Sequence, residues 1–295
     1  MKKFILFIFI LGFFVEAGYS QTFFNNKYNR RFLLIGGAGT SSYFGDLNNP
    51  KDIFDPTLNF SVGLIYELGP QFSIRSEFQY YRLKGSDVDK QFTNSIERNL
   101  SFKANNQEVN FVGIYQILKN GTRYYQRPPI NPYVFGGVGM TFFKPKAEYN
   151  GQTYSLRKLK TEGRYYSPVT LVVPVGAGVK FKAGPSFTIN IEASYHKTFT
   201  DYLDDVSTVY VDPANFTNPI ALALQDRSVE LGYEPRAIGN IRGNPGKKDA
   251  YAFFSVKLEY YIPSDVLNTK NFKKRPPGTR PTKRKPFRLG GRKRR

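Results

Sequence analysis

The 295-residue sequence has no cysteine, no tryptophan, one histidine and two methionines. Without cysteine there can be no disulfide, thiolate metal site, thiol nucleophile or acylated N-terminal cysteine. A lone histidine, His196, excludes a metal centre built from several imidazoles. Long apolar runs are also missing. Phe4 to Val15 is unbroken but well short of the roughly 20 residues a helix needs to cross a bilayer, and nothing later in the chain rivals it. Lys2 and Lys3 precede this run and Gly18 and Ser20 follow it, which reads as a secretory signal peptide over residues 1–20 with Gln21 as the mature N-terminus. With helical spans excluded, a membrane-embedded form must be a closed β-barrel.

Acidic residues are absent from residues 270–295, which hold 13 Lys or Arg. This stretch accounts for most of the net charge of +20, since residues 21–269 carry 28 bases against 22 acids, a net of +6. The basic clusters alternate with Pro276, Pro277, Pro281 and Pro286 and cannot bury a core, so a disordered tail is expected over 263–295. Its candidate contact residues are Lys273, Lys274, Arg275, Arg280, Lys283, Arg284, Lys285, Arg288, Arg292, Lys293, Arg294 and Arg295. In an exported protein they suit acidic protein surfaces, anionic headgroups or cell-wall polymer, and no nucleic-acid partner is expected. A solvated tail without a partner is the plain alternative.

Between these ends the dominant signal is a period of two. Leu58, Phe60, Val62, Leu64, Tyr66 and Leu68 alternate with Asn59, Ser61, Gly63, Ile65 and Glu67, and a Gly69-Pro70 turn leads into Phe72, Ile74, Phe78 and Tyr80 alternating with Ser73, Arg75, Glu77 and Gln79. The same pattern predicts strands near 31–40, 107–117, 132–143, 170–182, 186–197 and 250–261, eight in all. Links after the first, third, fifth and seventh are long, about 16, 23, 26 and 52 residues, whereas those after the second and sixth are tight and Leu118 to Asn131 is intermediate. Such alternation predicts an all-β, eight-stranded antiparallel up-and-down transmembrane barrel over 31–262 with long external loops, after a periplasmic segment at 21–30. An even strand number would leave both termini in the periplasm. A soluble sandwich or lipocalin-like barrel alternates too, but with its apolar face inward; aromatic strand ends, loop alternation and a mixed-charge polar face favour the membrane form.

If the polar faces point inward, Glu67, Arg75, Glu77, Lys180, Glu192, Lys257 and Glu259, with His196, share the lumen. Eight strands leave an interior just wide enough for side chains to fill, which favours an ion-paired plug over a gated polar pathway. Asp201, Asp204, Asp205 and Asp212 could supply oxygen ligands, but their spacing matches no calcium loop. Asn218 and Pro219 before Ile220–Leu224 predict a short capped helix. No nucleophile elbow, phosphate loop or paired-carboxylate signature occurs, so neither enzyme activity, a cofactor nor a small-molecule substrate is expected.

Three stretches together resemble the PorG-type outer-membrane proteins of the Bacteroidota type IX secretion system. They are Gly39-Thr40-Ser41-Ser42-Tyr43-Phe44-Gly45-Asp46-Leu47, then Thr198-Phe199-Thr200-Asp201-Tyr202-Leu203-Asp204-Asp205-Val206-Ser207, and Arg242-Gly243-Asn244-Pro245 leading to the last strand. The resemblance covers most of residues 30–262 but not the basic tail. It implies a non-enzymatic outer-membrane component of a protein-secretion and gliding machine, whose partners are a periplasmic ring lipoprotein with its own periplasmic partner and the lipid around the barrel. From the residues alone, a small passive pore or ligand-binding barrel and a loop-mediated surface adhesin stay open.

Overall fold

The computed structural model describes residues 31–47, 57–87, 97–121 and 125–262. The expected signal peptide, N-terminal segment and basic tail lie outside these residues. The strands are β1 (Phe32–Phe44), β2 (Thr57–Glu67), β3 (Phe72–Ser86), β4 (Ser101–Gln116), β5 (Ile130–Phe142), β6 (Pro145–Tyr149), β7 (Gln152–Ser155), β8 (Val169–Lys182), β9 (Phe187–Thr198) and β10 (Ala250–Tyr261). Two short helices, α1 (Leu156–Leu159) and α2 (Pro219–Gln225), sit in the long links. Asn218 caps α2 by accepting from the Ile220 amide at 2.9 Å, with Pro219 in the first turn.

Eight of these strands close a ring in the order β1-β2-β3-β4-β5-β8-β9-β10, every pair antiparallel. The seam joins first and last strands in unbroken register from Leu33 opposite Tyr261 to Phe44 opposite Ala250. The barrel expected from the sequence is therefore present, with two differences. β3 and β4 stay paired as far as Ser86 opposite Ser101, so they rise past their apolar stretch, and their outward residues there are Arg82, Lys84 and Lys103. The link after β5 is no plain loop: β6 and β7 form a hairpin seated on β4, with Lys103 opposite Lys146. Asn150 and Gly151 close that hairpin with φ of 49° and 73°, the positive values a two-residue type I′ turn demands.

Orientation of the faces settles membrane against soluble barrel. Leu58, Phe60, Val62 and Leu64 on β2 are each more than half exposed, while Asn59 between them is buried. The same holds round the ring, with Phe72 and Ile74, Val138 and Met140, Leu171 and Val175, Ile189 and Ile191, and Val256 and Leu258 all facing out. Paired outward rings mark the turn end: Phe32 with Tyr66, Phe72 with Tyr115 and Phe187 with Tyr260, at centroid separations of 4.8, 4.9 and 5.1 Å. Phe44 and Tyr195 mark the loop end. The nine residues from Phe187 to Tyr195 on a tilted strand span roughly 20 Å, close to the height of a lipid-facing band. Buried charges and an exposed apolar belt are the inverse of a soluble domain, and they define a bilayer-spanning barrel.

Candidate functional site

Inside the belt the lumen is filled by side chains that strut across it. Arg75 on β3 donates through Nη1 and Nη2 to Glu192 on β9, at 2.6 and 3.2 Å. These strands lie on opposite sides of the ring. Lys257 on β10 donates to Glu77 at 2.6 Å and to Glu192 at 2.9 Å, and Arg75 Nε lies 3.4 Å from Glu77. Two carboxylates and two cations thus form one neutral cluster in which all four residues are no more than 3% exposed. Tyr133 donates to Glu192 at 2.8 Å and Gln79 to Glu77 at 3.1 Å, satisfying remaining lone pairs. A Cβ at position 178 would lie 2.7 Å from the Tyr133 ring, so Gly178 on β8 is what lets this tyrosine reach across.

Of the other expected lumen residues, Lys180 donates to Glu259 at 2.8 Å as a separate pair nearer the turn end, and Glu67 accepts from the Tyr261 hydroxyl at 2.7 Å. Towards the loop end stands a centre the sequence reading did not isolate. Glu108 on β4 accepts from Tyr251 at 2.5 Å and Asn110 at 2.8 Å, and lies 3.1 Å from His196 Nδ1. His196 stacks on Tyr251 with 5.1 Å between ring centroids. The signal was available: Asn106, Glu108 and Asn110 are the polar half of a period-two segment.

Above the lumen the long links fold into a cap around a core that includes Tyr43, Leu47, Phe143, Leu203 and Leu224. The three stretches that carry the family resemblance meet here. Asp204 accepts from the amides of Leu47, at 3.3 Å, and Val206, at 2.9 Å. Asp46 accepts from the Asn244 amide at 2.6 Å. Arg242, 2% exposed, donates to Glu162 at 2.9 Å and to the carbonyls of Asp205, at 2.6 Å, and Gln225, at 3.1 Å. Gly243 is required by crowding, because a Cβ would fall 2.6 Å from both Asp46 Oδ2 and the Ser207 amide nitrogen.

The remaining motif residues complete the packing. Asp205 accepts from the hydroxyls of Thr161 and Tyr166, Asp201 from Ser207 at 2.8 Å, and Tyr202 stacks on Tyr166 at 4.6 Å. Thr200 takes the Asp249 amide on its carbonyl, and Pro245 accepts from Lys248. Asp212 stands apart, capping a 3-10 turn at Pro213–Asn215. Among the described residues no three metal-ligating side chains converge. Sequence reasoning missed Arg98, Asp87, Glu162 and Asp249. Arg98 grips Asp87 through two bonds of 2.7 and 2.8 Å and also binds the carbonyls of Asp46 and Arg242, so it fastens the β3–β4 link to the motif segments.

The cap carboxylates are held in unusual states. Burial pushes Asp205 up to about 6 even beside Arg242, and pushes Asp201 up to about 7. Tyr43 donates to Asp249 at 2.7 Å with Asp204 close by; burial raises both acids, and the charge of Asp46 adds to this at Asp204 as that of Asp204 does at Asp249. Such groups keep protons in the folded cap at a pH where the unfolded loop, ionising near 4, has lost them. Stability from this source is therefore complete below about pH 4 and declines as pH rises through 6 and 7. Limited proteolysis of segment 199–249 is expected to be faster at pH 8.5 than at pH 5, and Asp249→Asn, which keeps an acceptor for the Leu203 amide and offers its NH2 to the Tyr43 hydroxyl oxygen, should flatten the difference. Equal cleavage rates at both pH values in the unmodified protein would refute it.

The geometry defines a class: an eight-stranded membrane barrel, closed inside by an ion-paired plug and at one end by a folded polar cap. Within that class the chain belongs to the family described as Domain of unknown function (DUF6089), whose pattern matches residues 5–217. No curated protein matches it in sequence. Solved structures similar to it include outer-membrane barrels. Neisserial surface protein A is 10% identical, with 78% of this chain and 97% of that one covered and a TM-score of 0.41. Ail, the attachment invasion locus protein of Yersinia pestis, solved with the heparin analogue sucrose octasulfate, is 13% identical over 78% and 97% of the two chains, TM-score 0.38. A major outer membrane protein from Thermus thermophilus is 11% identical over 79% and 98%, TM-score 0.39.

Proposed function

We propose that the protein is a non-enzymatic outer-membrane component of a type IX protein-secretion and gliding machine, docking the machine's periplasmic ring at the outer membrane. One observation carries this reading. The segments 39–47, 198–207 and 242–245, which resemble PorG-type proteins and lie far apart in the chain, are knitted together by the buried Asp204 and Arg242 and, at the surface, by Asp46. A resemblance spread over three distant stretches that converge in space reflects a shared folded unit rather than chance similarity of turns. A lumen crossed by cation–carboxylate struts supports a scaffold over a pore. In this reading the long links face outward, both termini face the periplasm, and the basic residues from Lys273 to Arg295 attract an acidic face of the ring lipoprotein or its partner, an attraction that salt weakens.

Affinity purification of the full-length protein from outer membrane in mild detergent tests this. Ring components are expected to co-elute, and removal of residues 270–295 should lower their recovery, by more at low salt than at high salt. Absence of ring components from the full-length eluate would overturn the reading; undiminished recovery after truncation would remove the tail from it.

A further inference from the structure

Beside α2 the cap carries a cleft of about 510 Å3, the size of a site for a small organic molecule. Its walls are apolar, formed by Val211, Pro213, Pro219, Leu222, Val229 and Pro235. Tyr210 forms part of the lining; it is 3% exposed and its hydroxyl has no hydrogen-bond partner. An unpaired buried hydroxyl costs free energy that a bound partner would recover.

The polar groups of the cleft specify what that partner is. Both Asp226 oxygens are occupied, Oδ1 by the amide and hydroxyl of Ser228 and Oδ2 by the Arg236 amide. Both Glu230 oxygens accept from Arg227. The side-chain amide of Gln225 donates to the Val211 carbonyl. Both carboxylates of the lining are therefore already held by donors, and the cleft offers no free anion to a cationic ligand. Donors are in surplus: the Tyr210 hydroxyl, and the Arg236 guanidinium, which meets Glu97 through Nη2 alone at 2.8 Å. Leu222 and Val229, 40% and 54% exposed, leave the apolar mouth open to the surroundings.

We propose that this cleft binds a compact apolar molecule bearing a carbonyl or carboxylate oxygen, its body against the proline and aliphatic walls and its oxygen towards Tyr210 and Arg236. The cleft adjoins the motif centre through Gln225, whose carbonyl accepts from Arg242, but its ligand chemistry does not rest on the secretion reading.

The test uses the full chain in lipid nanodiscs, with empty nanodiscs subtracted, and three probes of one shape: 4-biphenylacetate, its methyl ester and biphenyl. Ligand-observed NMR titration should show saturable binding of at least one oxygenated probe and binding at least about fivefold weaker for the hydrocarbon, a difference of one hydrogen bond. Tyr210→Phe should lower affinity about fivefold, and Ala223→Trp, which fills the cleft, should abolish binding. Leu222→Arg at the mouth gives a second block should the tryptophan variant not fold. Loss of acid but not ester binding in Arg236→Gln assigns a carboxylate ligand, and equal binding of the ester assigns a neutral carbonyl one. No saturable binding of either oxygenated probe, or binding that Tyr210→Phe and both blocking variants leave unchanged, overturns the proposal.

Discussion

Lys257→Met is expected to destabilise the barrel by about 3–5 kcal/mol, the cost of leaving a buried carboxylate without its counter-charge. Lys257 holds Glu77 at 2.6 Å and Glu192 at 2.9 Å, and without it those two acids share Arg75 alone. Urea unfolding in lipid vesicles reads the effect as a lowered midpoint at unchanged slope. A second substitution makes the result specific. Glu77→Gln added to Lys257→Met leaves Arg75 and Glu192 as a matched pair and should recover much of the loss, although each change alone harms. Additive losses in the double variant would show that the four residues do not act as one cluster. Lys180→Met should cost less, because its pair with Glu259 lies nearer the turn end and Lys180 is 8% exposed.

The second large effect lies on the opposite face of the wall. Val256 is outward at the middle of β10, half exposed, between Phe254 and Leu258. Val256→Arg is expected to cost about 2–4 kcal/mol in a bilayer, as a charge near the midplane does. Ala252→Arg, closer to the loop end of the same strand, should cost about 0–1 kcal/mol, since a long side chain there can reach the interface. Equal costs at the two positions would mean that the apolar belt is not a lipid contact. Lys197 and Lys103, outward on β9 and β4 beyond the belt, show where the chain itself begins to tolerate charge.

The barrel strands were legible because period two runs through most of their length, and the alternation of β2 and β9 fixes which residues share a face. What period cannot supply is the sign of the face, which the exposure of Leu58 and the burial of Asn59 decide. The β6–β7 hairpin was legible and overlooked: Asn150-Gly151 between alternating segments is a strong local turn signal. The cap was not legible. Its residues have no shared period, its buried acids look in sequence like any solvated loop, and its contacts join Tyr43 to Asp249 and Asp46 to Asn244 over 206 and 198 residues. The family motif named Asp204 and Arg242 without Arg98 and Glu162, which bind Arg242, or Asp249, which holds the Leu203 amide.

Those same long separations set an order of events. Asp46 follows β1, Asn244 precedes β10, and these two strands form the seam where the ring shuts. Residues that far apart meet only after the intervening strands have been laid down, and such non-local contacts are slow to form. The cap is thus a latch whose two halves belong to the first and last strands to be placed, and a barrel arrested with its seam ajar would lack the contacts that join them. Protection of segment 199–249 from protease reports completed assembly of the wall beneath it.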